Sequence, residues 1–280
     1  MREIQVKEIE NAVRDLCIEA NYYIGNDIKE ALKKSKEEEP YKIAEDVLDK
    51  ILLNDEIAEK EKMPMCQDTG MACVFLEIGQ DVHITGGLLE DAINEGVRRG
   101  YTEGYLRKSV VKDPIDRVNT KDNTPAIIYY DIVAGDRVKI TLAPKGFGSE
   151  NMSRIGMLKP ADGLEGVKKF IIETVKLAGP NPCPPMVVGV GIGGTFDKAA
   201  YLAKKALLRP INTSNKQEFY KNLEEELLQK INELGIGPQG FGGKTTALGL
   251  NIETYPTHIA GLPVAVNINC HATRHKGRIL

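Results

Sequence analysis

The chain is 280 residues long, with 42% hydrophobic and 28% charged residues, the proportions of a folded globular protein rather than a disordered one. Its 37 basic and 40 acidic side chains leave a formal charge of −3, which gives no electrostatic footprint for nucleic acid or an anionic membrane surface. No apolar run approaches the roughly 18 residues of a membrane helix, and the charged start MREIQVKEIE does not read as a signal peptide, so a cytoplasmic protein is expected.

The first sixty residues read as helices. Val6, Ile9, Val13, Leu16, Cys17 and Ala20 recur at helical spacing, predicting an amphipathic helix over 5–22. A second helix is predicted from about Asp27 to Glu39, where Pro40 stops it; the mixed charges of Lys29–Glu39 form a solvated face. A third covers about 41–54. The pattern then changes. Strands are predicted over 72–78 and 82–85, and a helix over 88–100 after the Gly86-Gly87 break. AIIYYDIV (126–133) and VKITLA (138–143) read as two strands of a hairpin joined by Ala134-Gly135-Asp136. Helices follow at 163–178, 197–208 and 218–234, the last ending at Gly235, with strands at 186–192 and 264–269. The expected fold class is α+β, or mixed α/β: a helical lead-in (1–60), then mixed sheets covered by helices (61–280), in one catalytic-type domain. No linker stands out, although the Pro210–Asn215 stretch reads as a soft joint.

Two glycine-rich stretches imitate nucleotide motifs. Gly189-Val190-Gly191-Ile192-Gly193-Gly194 satisfies G-x-G-x-x-G between a strand and a helix. The region some 20 residues on, Arg209–Ser214, supplies neither the strand nor the carboxylate of a dinucleotide site. A tight strand-to-helix turn is the simpler reading, and an anion cradle a middle one. Gly237–Thr245 ends in Gly-Lys-Thr, but Pro238 stands where a P-loop needs glycine.

The five cysteines contain no C-x-x-C pair. Cys17 falls on the apolar face of a helix and Cys73 inside a strand, where both read as small core residues. Cys66, Cys183 and Cys270 lie in polar, Pro- and Gly-flanked loops, the usual setting of ligands and catalytic groups. Three thiolates suit either a zinc site completed by one histidine or an iron–sulfur cluster; three unrelated thiols are the alternative.

Five motifs in chain order carry a resemblance: Met65-Cys66-Gln67-Asp68-Thr69-Gly70, Gly146-Phe147-Gly148-Ser149-Glu150-Asn151, Pro182-Cys183-Pro184-Pro185 followed by Gly193-Gly194-Thr195, Gly242-Gly243-Lys244, and Asn269-Cys270-His271-Ala272-Thr273-Arg274. Together they resemble the α-type catalytic part of class I, iron–sulfur fumarate hydratases and the related L-tartrate dehydratases, from about Ile9 to the end. The resemblance implies a tricarboxylic acid cycle hydro-lyase chemistry on a small dicarboxylate. It implies a [4Fe-4S] cluster on Cys66, Cys183 and Cys270, whose open iron acts as Lewis acid on a substrate hydroxyl. It further implies Gln67, Asp68 and His258 as catalytic groups, and Arg107, Gly146, Gly148, Lys244 and Arg274 as substrate contacts. Asp68 is the expected proton-transfer residue, with an Asx turn before Gly70 as its structural alternative.

Single-chain members of that family continue into a second, β-type domain thought to carry the carbon base. This sequence shows no such domain, so an α subunit needing a β partner is expected, in a hetero-oligomer or with a homodimer of α chains. Fumarate–malate interconversion is the leading reading, and dehydration of L-tartrate to oxaloacetate the alternative. From other classes, a non-catalytic zinc-binding subunit predicts a colourless protein, and a nucleotide enzyme would use the Gly189–Gly194 turn.

Overall fold

A computed structural model describes all 280 residues. In chain order the elements are β1 (Arg2–Gln5), α1 (Val6–Tyr22), α2 (Asn26–Glu37), α3 (Lys42–Glu61), β2 (Met71–Gly79), β3 (Val82–Thr85), α4 (Leu89–Glu103), β4 (Ile127–Val133), β5 (Val138–Lys145), α5 (Phe147–Glu150), β6 (Arg154–Leu158), α6 (Gly163–Ala178), β7 (Met186–Gly193), α7 (Phe196–Ala206), α8 (Glu218–Asn232), β8 (Ala247–Tyr255), β9 (Leu262–Asn269) and β10 (Lys276–Ile279). The fold is mixed α+β, as the patterning implies. No helix is long and apolar enough to cross a membrane. The chain divides into two compact units, one of residues 1–24, 54–147 and 274–280, the other of residues 25–53 and 148–273. The lead-in helices are shared out: α1 belongs to the first unit, α2 to the second, and α3 supplies residues to each.

In the first unit a four-stranded sheet runs β10-β5-β2-β4, beside a two-stranded parallel pair β1-β3. One correction concerns β4 and β5, which do not form the expected hairpin. β2 lies between them, parallel to β4 and antiparallel to β5. The reason is that β2 is apolar on both faces and buried from Ala72 to Leu76, so it takes the centre of the sheet. The Ala134–Asp136 turn is present, but it passes over the end of β2. Gly79 N–H donates to Arg137 O (2.8 Å) and Asp81 N–H to Gly135 O (3.0 Å). A Cβ on Gly79 would lie 2.4 Å from Gly135 O, so only glycine permits this crossing.

Helices α1 and α4 pack against the sheet with Ile9, Val13, Leu16, Val74, Leu76, Ile93, Val97, Ile140 and Leu142 in one core. They also pack closely on each other. Gly96, Gly100 and, just past the helix end, Gly104 recur every four residues on the side of α4 that meets α1. A Cβ on Gly100 would stand 2.6 Å from Cys17 Cβ and 2.8 Å from Arg14 O. Cys17 is therefore core filler, as read from its spacing, and burial pushes its thiol far above the ordinary range.

The second unit holds the sheet β6-β9-β7-β8, with β7 and β8 parallel and β9 antiparallel to β6 and β7. Val188 and Val190 of β7 face Val167, Ile171 and Val175 of α6 and Leu223, Leu227 and Ile231 of α8. The intervening Gly189 and Gly191 face the other way, toward α7. A Cβ on them would meet Ala203 O at 2.2 Å and Ala199 O at 2.1 Å. The G-x-G-x-x-G pattern is thus explained by backbone-close seating of α7 on β7, followed by positive-φ turns at Gly193 and Gly194. The 210–215 stretch is tied down rather than a joint: Ile211 N–H donates to Asp27 (3.1 Å), and Asn215 Nδ2 to Ile252 O (2.9 Å).

Candidate active site

In the first unit, the loop after α3 is pinned before it reaches Cys66. Met65 N–H donates to Asn21 O (3.0 Å), and Asn54 Nδ2 donates to Met65 O (2.8 Å). Cys66 is half-buried, with its Sγ 3.5 Å from Gln67 Oε1. Asp68 follows, and both carboxylate oxygens accept backbone N–H groups: Gly70 at 3.0 Å on Oδ1 and Phe147 at 2.8 Å on Oδ2. The Asx turn is therefore present, yet it occupies only one oxygen. The second reaches the Gly146–Phe147 turn because Gly146 has no side chain; a Cβ there would crowd Asp68 Oδ2 at 3.3 Å.

Two more expected residues join this loop. Thr69 Oγ1 donates to Arg107 O (3.0 Å), and the buried Arg274 donates from Nη2 to Asp68 O (2.6 Å). Asp68, Gly146, Arg107 and Arg274, drawn from four distant stretches, are thus brought together. Two supports escaped the sequence reading. The fully buried Tyr101 donates from its hydroxyl to Thr69 O (2.7 Å) and Gly70 O (3.0 Å), and burial, then the neighbouring Cys17, raises its pKa well above normal, so it remains a donor. Asn123, also fully buried and in the left-handed region, donates to Gly70 O (3.1 Å) while its Oδ1 accepts Ser109 N–H (2.7 Å). The only sequence hints were a polar-tipped aromatic on the apolar face of a helix and an asparagine in a turn-rich run.

In the second unit, Cys183 and Cys270 lie at the same end of the sheet, since Cys183 precedes β7 and Cys270 follows β9, where Val187 pairs with Asn269. His271 N–H donates to Cys183 O (3.2 Å) and joins the two loops. Cys183 is exposed and holds φ +54°, an uncommon conformation for a residue with a Cβ and one concentrated at functional sites. The 237–241 loop braces it: Gln239 donates to Pro184 O from both its N–H (2.8 Å) and Nε2 (3.1 Å). Gly148 faces this loop too, its Cβ position lying 3.8 Å from Asn181 O. Glu150 accepts Asn267 Nδ2 (2.7 Å) and Lys204 Nζ (2.5 Å), tying the turn to β9 three residues before Cys270. These two partners were also missed.

Two expected residues stand differently. Lys244 pairs its ammonium with Glu38 (2.9 Å) and gives its backbone N–H to Glu39 (2.8 Å). His258 follows β8, at the end of the sheet opposite the cysteine pair. From the Val187–Asn269 pair to the Ile192–Val264 pair is five residues, about 16 Å of strand. There His258 borders a groove of about 390 Å³ lined by Leu164, Phe219, Ile259 and Leu262. No three His, Cys, Asp or Glu side chains converge as a ready-made metal site.

A family model described as fumarate hydratase (Fumerase) matches residues 10–278, nearly the whole chain and every residue of the candidate site. The chain belongs to the fumarate hydratase family. Within reach of this membership stand relatives with more particular names. A Methanocaldococcus jannaschii protein provisionally named L(+)-tartrate dehydratase subunit alpha is 45% identical over 273 residues, covering 95% of each chain. The L(+)-tartrate dehydratase alpha subunit of Escherichia coli strain UTI89 is 34% identical over 253 residues, covering 89% of this chain and 83% of its own. That of strain K12 is 33% identical over 259 residues, covering 91% and 84%. The fumarate hydratase family model spans segments of both structural units.

Proposed function

We propose that this chain is the α subunit of a hydro-lyase that adds water across the double bond of fumarate to give L-malate, and reverses that reaction, with a β partner. The observation that carries the reading is Asp68: a carboxylate fixed by two backbone N–H groups, in contact with Gly146 and joined through its own loop to Arg107 and Arg274. A hydro-lyase needs one group to take or give the hydroxyl's proton and cationic partners for two carboxylates. Asp68 takes the first role, with Gln67 beside it. Arg107 and Arg274 supply the second, and backbone N–H groups of the Gly146–Gly148 turn orient the acid. Lys244 would have to leave Glu38 to join them. The reading gives His258 no role toward the cysteines of its own chain, because it lies at the other end of their sheet.

The donor set fits an iron–sulfur cluster held by Cys66, Cys183 and Cys270. These three are loop residues at least partly exposed, whereas Cys17 and Cys73 are 0% and 3% exposed and walled into the core. When bound, such a cluster supplies a Lewis acid for the substrate oxygen. A β partner is part of the proposal because the relatives are named as alpha subunits.

Those same names favour a second reading, dehydration of L-tartrate to oxaloacetate. One experiment tests both. The chain is purified without oxygen, analysed for iron and sulfide, mixed with a β subunit and given fumarate or L-tartrate. About four irons per chain, lost in Cys183→Ser, with malate formed from fumarate, is the expected result. Oxaloacetate from tartrate alone would select the second reading. A colourless chain that takes up zinc and no iron would overturn both.

A further inference from the structure

We propose that Asn123 and Thr69 are positioning residues that together fix the span between Asp68 and Arg107, and with it the alignment of the substrate. The inference rests on the hydro-lyase reading, in which Asp68 moves the proton and Arg107 holds a carboxylate. Arg107 is an exposed side chain on the irregular stretch that follows α4, so its reach toward a carboxylate is only as well defined as the backbone beneath it. A misplacement of about 1 Å between reacting groups can cost about 10²-fold in rate, so the requirement on that backbone is stringent.

The Arg107 stretch is bonded to the Asp68 loop at successive points. Thr69, the neighbour of Asp68 and itself buried, donates from Oγ1 to Arg107 O (3.0 Å). Just beyond, Ser109 N–H (2.7 Å) and Val110 N–H (3.3 Å) converge on Asn123 Oδ1. The same side chain turns its amide nitrogen the other way and donates to Gly70 O (3.1 Å), two residues after Asp68. Asn123 therefore accepts from one wall of the site and donates to the other, which an amide does with its two ends at once. It is fully buried, where such bonds are stronger than in water.

The turn that presents Asn123 is itself secured. Its φ of +63° lies in the left-handed region, which asparagine enters more readily than most residues. The preceding Asp122 accepts Thr124 N–H (3.0 Å) and Thr124 Oγ1 (2.8 Å) on one oxygen and Arg98 Nε of α4 (3.0 Å) on the other. The Tyr101 hydroxyl, by contrast, donates only to Thr69 O and Gly70 O. It supports the Asp68 wall without tying that wall to Arg107.

The test uses the iron-loaded chain, purified without oxygen, mixed with a β subunit and assayed on fumarate and on L-tartrate. Asn123→Gly keeps the left-handed backbone without strain and removes the side chain. Thr69→Val keeps the bulk and removes the hydroxyl, whereas Thr69→Ser keeps the hydroxyl and removes a methyl. Asn123→Gly and Thr69→Val should each lower kcat by about 10²-fold with KM little changed. Each should also raise the solvent deuterium isotope effect, as misaligned proton transfer becomes limiting. That effect is a ratio, so a mere loss of folded enzyme does not move it. Thr69→Ser should stay close to the wild type; simple destabilisation predicts the opposite order, because a deleted buried methyl leaves a cavity. By hydrogen exchange of the chain alone, the Ser109 and Val110 amides should exchange faster in Asn123→Gly. Wild-type kcat in either Asn123→Gly or Thr69→Val overturns the proposal. So does a fall in kcat with an unchanged isotope effect, unchanged exchange at Ser109 and Val110, or a Thr69→Ser as impaired as Thr69→Val. A wild-type complex that turns over neither acid overturns the hydro-lyase reading, and with it the inference that rests on it.

Discussion

The carboxylate of Asp68 is held by Gly70 on one oxygen and Phe147 on the other, and this division has a consequence for mutation. An asparagine keeps the size and one accepting oxygen, but its amide nitrogen cannot accept the second N–H. Asp68→Asn should therefore lose proton transfer while retaining the loop. With a β partner present, kcat should fall by about 10²–10⁴, the usual contribution of a positioned acid or base. The cost to folding should be near 1 kcal/mol, that of a lost hydrogen bond. Stopped-flow turnover and thermal melting of the same preparation check the two halves; unchanged kcat would remove Asp68 from the chemistry. The cysteines differ in what local context revealed. Cys17 and Cys73 could be assigned to the core from apolar spacing alone, and both are buried. The left-handed backbone at Cys183 is not marked by apolar spacing: its N–H closes a turn onto Pro180 O (3.0 Å), and Gln239 and His271 bond to the same loop from outside.

At the scale of elements, the contact of α1 with α4 depends on a missing methyl group. Gly100→Ala would place a carbon 2.6 Å from Cys17 Cβ and 2.8 Å from a backbone carbonyl, and neither can retreat without moving a helix. A destabilisation of about 1–3 kcal/mol is expected, typical of overpacking. At the size of this protein that lowers the melting temperature by roughly 2–4 °C per kcal/mol, readable by calorimetry. An unchanged melting temperature would show that the helices part easily. The helices themselves were visible in the sequence because a 3.6-residue period is a local property: α1, α6 and α7 begin and end within two residues of their predicted limits. Short edge strands such as β1, β6 and β10 were missed, since four or five residues hold too little alternation to be told from loop.

At the scale of the whole molecule, the chain passes between the two units four times, after residues 24, 53, 147 and 273. The first sixty residues are therefore not a detachable lead-in. Ile9, Val13 and Leu16 are fully buried in the first core, and Ile28, Leu32 and Leu48 are buried in the second unit. Each such side chain is worth about 2–5 kcal/mol. Their joint removal matches or exceeds the roughly 5–15 kcal/mol that holds a protein folded. A chain starting at residue 61 should therefore show no cooperative melting transition by near-ultraviolet circular dichroism. A sharp transition there would mean that the remaining residues form an independent core.

Composition, periodicity and loop chemistry were enough to establish the fold class, most elements and the separation of loop cysteines from core cysteines. Each of these depends on residues close together in the chain. Partner choice depended on tertiary structure. The turn at 134–136 was legible, but which strand sits beside β4 was decided by β2, whose two apolar faces demand the centre of the sheet. The tight turn at 189–194 was legible, but its reason was not: the Ala199 and Ala203 carbonyls of α7 lie where a Cβ on Gly191 or Gly189 would stand. His258 and Cys270 are twelve residues apart in sequence, yet β9 sets them at opposite ends of a sheet, while Asp68 and Arg274, 206 residues apart, share a hydrogen bond. A strand converts short sequence separation into distance, and only packing of apolar faces converts long separation into contact.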